Sequence, residues 1–524
     1  MKLNKKMLLI SSFSLAALAV PFVVSSCNNT KSFYEKINVI STNDMHGRLE
    51  KNEKTKETGI QAISGYVKSQ PHDLLLDGGD LTQGTPLNDV DKGKTMAEIT
   101  NLIGYDAIAV GNHEFDFGLD NLLNITKNSN SNFLSSNVRY KDNDKRVFSA
   151  TKIKTLDSGL KVGIIGLTTE ETAYKTHPAN VEKVKFTDLV EETKTEVENL
   201  EKQGINFITV VSHVGEYQTV PLAKALENKI DLIIDGHSHQ DFKETVGTTQ
   251  IIQTGEYTKA LRKSTFDFNA TTGFIENFQS DLVNYDELIK YENQADPAIV
   301  EKIKTLKAAQ ESEFAQVVID NNPYKLNGER NEVRRKETNL GDLVTDAMFW
   351  EAQKTIKDLD FAITNSGGIR ASLQKGKITK KDTYTVFPFG NKLVVLEAKG
   401  KVIREAFNRS VKSNTGAEGT DGALLQVSEN VKLNQESNGN WKYQIKRNGA
   451  FEDLKDETVY KFATQDFTQS GGDGYTMFKG LKELFSGTDL KGVIESYLKK
   501  LTQEEWKKYE TEFPTQRMSW KTKN

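Results

Sequence analysis

Six short apolar runs between residues 37 and 234 limit what this chain can fold into more than any other feature. They are Ile37-Asn38-Val39-Ile40, Leu74-Leu75-Leu76, Ala107-Ile108-Ala109-Val110, Val162-Gly163-Ile164-Ile165, Phe207-Ile208-Thr209-Val210-Val211 and Leu232-Ile233-Ile234. Each is apolar at consecutive positions and separated from the next by longer segments of helical period, which suits strands buried on both faces in an α/β layered domain. Short acidic and histidine motifs follow these runs almost without exception: Asp44-Met45-His46, Gly78-Gly79-Asp80, Gly111-Asn112-His113-Glu114, Ser212-His213 and Gly236-His237-Ser238-His239. Strand ends collect on one rim of a sheet, so these side chains are expected in a shared cleft.

Carboxylate, amide and imidazole donors returning at five places are what a two-metal hydrolase site requires. Asp44 and His46 are two apart, so both can point to one side of a strand or its exit loop; alone, such a pair is more often a structural hydrogen bond than a metal site. The glycines before Asp80 let the backbone turn sharply, and its carboxylate can bridge two cations. Asn112 offers a carbonyl oxygen as a ligand. His113 beside it could reach substrate instead, with Asp116 holding the ring in one tautomer. His213 and the pair His237/His239 complete the donor set. Five of the seven histidines are thereby placed; His72 and His177 lie in proline-adjacent polar contexts and read as surface residues.

At 524 residues the chain is long enough for two domains. With 69 basic and 73 acidic residues it has no basic excess for long nucleic acid, while a nucleotide remains compatible. Lys2, Lys5 and Lys6 precede an apolar stretch from Met7 to Val24, the pattern of a secretory signal. It ends in Val24-Ser25-Ser26-Cys27, which resembles a bacterial lipobox and implies lipid attachment at Cys27 after removal of residues 1–26. Cys27 is the single cysteine, so no intramolecular disulfide can form. Residues 27–36 then read as a tether. Around residues 287–318, Ile299, Ile303, Leu306 and Ala309 are spaced three or four apart between charges, predicting an amphipathic linker helix.

A second unit follows, with a helix expected at Leu340–Lys354 and strands at Lys392–Ala398 and Val459–Thr464. Asn365-Ser366-Gly367-Gly368-Ile369-Arg370 combines backbone amides with a guanidinium, either an anion-binding loop or a tight turn with a solvated arginine. Pro388-Phe389-Gly390-Asn391 and Asp466-Phe467 through Gly471-Gly472-Asp473-Gly474 set aromatics beside flexible backbone. Two such rings on facing loops could stack on a base; either alone is more often a core residue.

In order and wording, these motifs resemble the calcineurin-like metallophosphoesterases, and within them the 5′-nucleotidase/UDP-sugar hydrolase/cyclic-nucleotide phosphodiesterase family. The resemblance implies an α/β chain: an N-terminal four-layer β-sandwich flanked by helices (residues 37–285), a linker helix (286–320) and a C-terminal α/β substrate-binding domain (321–524). It implies two divalent metal ions, zinc, manganese or similar. Asp44, His46, Asp80 and His239 would hold the first, and Asp80, Asn112, His213 and His237 the second. His113 and Asp116 would form the catalytic dyad. Arg334, Asn365, Gly367, Gly368, Arg370, Phe389, Asn391, Phe467 and Asp473 would bind the nucleotide, with Phe389 and Phe467 clamping the base. The expected activity is release of phosphate from nucleoside 5′-monophosphates by an extracytoplasmic enzyme anchored through Cys27. The alternatives are a 2′,3′-cyclic phosphodiesterase/3′-nucleotidase, a UDP-sugar hydrolase, or a lipid-anchored nucleotide-binding surface protein.

Overall fold

The computed structural model describes residues 34–127, 133–413 and 422–520; the expected signal sequence, Cys27 and most of the expected tether lie outside them. Its first half is built on two six-stranded sheets. One runs in the order Phe274–Asn284, Ala260–Asn269, Tyr34–Thr42, Leu74–Asp77, Ala107–Ala109, Phe133–Leu134. The other runs Asp241–Val246, Thr249–Thr254, Leu232–Ile234, Phe207–His213, Lys161–Thr168, Thr151–Thr155. All six apolar runs are strands of these sheets.

Alternation along each strand explains why the runs are apolar at successive positions. Val39, Leu74, Leu76, Ile164, Val211, Leu232 and Ile234 point into the core between the sheets, where Phe207 and Phe268 stack at 4.9 Å between ring centroids. Their neighbours point outward into helices: Ile40, Leu75 and Ile108 into one layer with Ile60, Ile63 and Ile99, and Ile165, Val210 and Ile233 into the other with Val197 and Leu222. The result is four layers, helix, sheet, sheet, helix. Within the second sheet Lys161–Thr168, Phe207–His213 and Leu232–Ile234 are parallel, as are Tyr34–Thr42, Leu74–Asp77 and Ala107–Ala109 in the first. Their C-terminal ends therefore share a rim, and the motifs sit there.

The first unit carries a charge lock at its edge. Arg139 Nε and Nη2 donate to the Glu192 carboxylate at 2.7 and 2.9 Å, and Arg146 Nη2 donates to it at 2.7 Å. Burial pushes the Glu192 pKa up, but these hydrogen bonds and that of Thr187 outweigh it and bring it down to about 2. A depressed folded-state pKa gives stability that is present above the ordinary carboxylate value and lost as pH falls toward the folded one. Glu192→Gln is thus expected to destabilise the protein at pH 7 by on the order of 2 kcal/mol, allowing for screening. Melting curves should show the gap to wild type narrowing as pH falls from about 4.5 toward 2.

The expected linker helix is interrupted. A short helix, Tyr285–Leu288, runs into a 3₁₀ turn, Ile289–Gln294, and only Pro297–Phe314 is a long α-helix. The break has a local cause: Asp296 is an N-cap, its side chain accepting from Ala298 N at 2.8 Å, with Pro297 preset at the first helical position. The strand Val317–Asn322, which begins inside the expected linker, already pairs with Gly376–Thr379 of the second unit. The long helix buries Ile299 and Ile303 against the first unit, and Phe314 meets Tyr384 of the second at 5.7 Å.

The second unit has a five-stranded sheet in the order Leu425–Val427, Phe361–Asn365, Val459–Gln465, Lys392–Lys399, Lys482–Asp489. Helices Asn339–Gln353 and Leu490–Lys500 cover one face; helix Gly400–Lys412 and a four-stranded sheet cover the other. Phe361–Asn365 and Val459–Gln465 are parallel neighbours, so the loops after Asn365 and Gln465 leave the sheet side by side.

Candidate active site

The five motifs converge as their strand ends require. Two groups of donor atoms form, Asp44 with His46, Asp80 and His239, and Asp80 with His213 and His237, each lying within 4.8 Å of one another. Asp80 belongs to both: its Oδ2 is 2.9 Å from His213 Nε2 and 3.7 Å from His46 Nε2. His239 Nε2 is 3.1 Å from Asp44 Oδ1 and 3.2 Å from His46 Nε2. Asn112 is 2% exposed, and its Oδ1 accepts no hydrogen bond from the described residues.

Backbone conformation brings these side chains together. Asp44, His46, Asp80, His237 and His239 all have positive φ, between 45° and 84°, a region that non-glycine residues rarely occupy. Close packing forces the turns: a Cβ on Gly79 would lie 2.9 Å from Ala109 O and 3.0 Å from His213 Nδ1, and one on Gly111 would lie 2.3 Å from Asp80 Oδ1. Glu114, fully buried, braces the loops. It accepts from the backbone nitrogens of Asp80, Leu81, Thr82 and Gly111 at 2.7–3.0 Å and from the Thr82 hydroxyl at 3.2 Å.

The donor set attracts positive charge. Burial lowers the pKa of His213, but the Asp80 carboxylate overrides this and takes it up to about 10. Burial raises that of Asp80, yet the histidines around it, His213 foremost, hold it well below the usual carboxylate range. His46, by contrast, is kept neutral chiefly by burial. Buried carboxylates, neutral imidazole and an unengaged amide oxygen fit divalent cations.

His113 belongs to neither group. Its backbone N donates to Asp80 Oδ1 at 2.9 Å, and its Nδ1 lies 2.5 Å from Asp116 Oδ2. Asp116 is itself fixed by the Thr176 hydroxyl at 2.7 Å and by Asn180 Nδ2, which donates to its carbonyl at 2.9 Å. Burial pushes the His113 pKa down, but Asp116 and then Asp80 raise it overall.

A cleft of about 1050 Å³ runs from these residues to the second unit. It is lined by Asn112, His113, Arg334, Asn365, Gly367, Gly368, Arg370, Phe389, Asn391, Phe467 and Asp473, so every residue assigned to substrate from the sequence faces it. Asn365 Nδ2 donates to Asp473 Oδ2 at 2.6 Å, and Gln465 links Asn365 to Asn391. Phe389 stacks on His113 with centroids 5.9 Å apart and planes 17° apart, and the Arg370 guanidinium lies 5.4 Å from the Phe389 ring centre. Arg334 is buried and Arg335 exposed, although both reach the cleft.

One reading is corrected. His177 is not simply a surface residue: it lines the cleft and is partly covered, because Asp466 of the second unit lies against it, with Oδ2 3.8 Å from His177 Nε2. Other residues escaped the sequence. Arg330, one helical turn before Arg334, places Nη1 2.6 Å from His239 Nδ1, and Glu256 also pairs with that nitrogen. Glu171 meets His237 Nε2 at 3.0 Å. Glu171 had one available signal: it follows the strand Lys161–Thr168, the apolar run that no recognised motif follows.

This fold and donor set define a metal-dependent phosphoester hydrolase. Residues 37–241 match the calcineurin-like phosphoesterase family and residues 316–480 the 5′-nucleotidase C-terminal domain. The chain belongs to the 5′-nucleotidase family. It is 30% identical to Escherichia coli protein UshA over 88% of this chain and 90% of that one. It is 29% identical to a Vibrio parahaemolyticus 5′-nucleotidase over 90% and 91%, respectively. The crystal structure of a Thermus thermophilus 5′-nucleotidase precursor superposes with a TM-score of 0.81 at 28% identity, covering 92% of this chain and 99% of that one.

Proposed function

We propose that the chain removes phosphate from nucleoside 5′-monophosphates, using two divalent ions at the groups that share Asp80. The observation that carries this reading is one continuous cleft joining both donor groups to a pocket with two aromatic rings and a carboxylate. Asp44, His46, Asp80 and His239 would hold one ion, and Asp80, Asn112, His213 and His237 the other. Zinc or manganese suits this mixture of imidazole, amide and carboxylate. Ions bound there supply Lewis acidity toward the phosphoryl oxygens and acidify water. His113, with Nδ1–H donated to Asp116, has Nε2 left to give a hydrogen bond or proton to the phosphoryl group or the leaving oxygen.

The second domain, residues 321–524, would hold the nucleoside. Burial first, and then Arg330 and Arg370, act against the charge of Arg334; a phosphate among the three guanidiniums relieves that repulsion. Phe389 and Phe467 would take the base, and Asp473 the ribose hydroxyls, since a carboxylate accepts from both members of a diol. Phe467→Ala is expected to raise KM by roughly 5- to 150-fold, the stacking of one base on one ring, with a smaller change in kcat. Equal affinity in that variant would remove the clamp from the proposal.

Phosphate release from AMP, UDP-glucose, 3′-AMP and 2′,3′-cyclic AMP with added Mn²⁺ tests the substrate class. Preference for AMP is the expected result, and preference for a cyclic or sugar-linked substrate would move the activity to one of its neighbours. Absence of bound metal together with nucleotide binding would indicate the non-enzymatic reading. No described helix is long and apolar enough to cross a membrane. The lipobox at Cys27 supports a lipid anchor on the outer face of the cell membrane, and fatty-acid labelling lost on Cys27→Ala is its test.

A further inference from the structure

The four imidazoles of the donor groups are each backed by an acceptor, and the acceptors are of two kinds. His46 Nδ1 lies 3.0 Å from the Gln83 carbonyl oxygen and His213 Nδ1 2.7 Å from that of Gly78, both neutral. His237 and His239 instead meet carboxylates. At His239 the influence of Glu256 is shared with Arg330, which reaches the same nitrogen. At His237 the arrangement is simpler: Nε2 faces Glu171 Oε2 at 3.0 Å, and Nδ1 faces His213 Nε2 at 3.3 Å.

We propose that Glu171 is a positioning residue for His237, fixing its ring and tautomer so that the Nδ1 lone pair is presented to a divalent ion shared with Asp80 and His213. The inference rests on the dinuclear reading above. The tautomer follows from the neighbours. A proton on Nδ1 would point toward His213 and the Asp80 carboxylate, where a cation is to sit; a proton on Nε2 finds a carboxylate. A backbone carbonyl would fix the tautomer equally well, but the negative charge of Glu171 also strengthens the imidazole as a donor. Glu171 is held in place itself, since the Tyr217 hydroxyl donates to the same Oε2 at 3.2 Å. A quarter of its side-chain surface is exposed, so substitutions there should leave the fold intact.

Loss of a partner of this kind typically weakens metal binding about 10- to 100-fold. Calorimetric titration of the metal-free full-length chain with Mn²⁺ tests the assignment, with wild type, Glu171→Gln and Glu171→Ala compared. The expected result is that one of two binding events weakens, about tenfold in the glutamine variant and about a hundredfold in the alanine variant. The other event and the melting temperature of the metal-free protein should be unchanged, and phosphate release should recover as Mn²⁺ is raised. If wild type binds two ions and Glu171→Ala binds both with the same affinity, the proposal is overturned. Equal weakening of both events with a lower metal-free melting temperature would mark a structural role and overturn it too. A wild-type chain that binds a single ion would instead overturn the dinuclear reading, and the positioning role with it.

Discussion

Replacing Asp80 with asparagine is expected to abolish measurable turnover and to leave purified protein with less than half of the wild-type metal content. Asparagine is the informative substitution because Asp80 has a φ of 55°, a conformation asparagine tolerates and alanine resists. It also retains an Oδ1 to accept from His113 N, as Asp80 does at 2.9 Å. The fold is therefore kept while the one carboxylate common to both donor groups is neutralised. Lewis-acid stabilisation is worth several kcal/mol, so its loss should lower phosphate release by roughly 10³-fold or more. Elemental analysis decides the matter: an Asp80→Asn protein that keeps both ions would remove Asp80 from its shared position.

His113→Ala should behave in the opposite way. Because His113 stands outside both donor groups, metal content should match wild type, while kcat falls on the order of 10²- to 10⁴-fold, as for loss of a positioned acid or base. KM should change little, since the guanidiniums and rings of the second unit remain. Asp116→Asn should follow the same pattern more weakly, because the imidazole stays but loses the charge behind it. A His113→Ala enzyme of near-normal turnover would leave the His113–Asp116 pair with only a structural role. The two substitutions thus test separately the proposed metal-gathering role of Asp80 and the proposed role of His113 toward substrate.

How much of this was visible in the amino-acid order depends on the distance over which each feature is specified. The sandwich was legible because its strands are short, buried on two sides and followed at once by their own donors, as Leu74–Asp77 is by Asp80. The helix Asn339–Gln353 and the strands Lys392–Lys399 and Val459–Gln465 were legible in the same way. The linker reads as one helix in the sequence because charged and apolar residues continue through Ala295-Asp296-Pro297, where the periodicity outweighs a local stop signal. Glu256 and Arg330 were not legible, and Glu171 was marked only by its place after the strand Lys161–Thr168, not by its partner. Their partners His237 and His239 lie 66, 17 and 91 residues away, and one acidic or basic residue among many carries no mark of its partner. The position of His177 is hidden for a related reason: local polarity says nothing of a second unit folding over it.

Glu114 has a bearing on how the protein acquires its ions. Five hydrogen bonds tie the Asp80 and Asn112 loops to one buried carboxylate that stands outside both donor groups. Chelators should therefore strip the protein without unfolding it, and different ions should exchange through the open cleft on the folded chain. Which metal the enzyme carries would then be set by the supply around it, and could change within the lifetime of a single molecule.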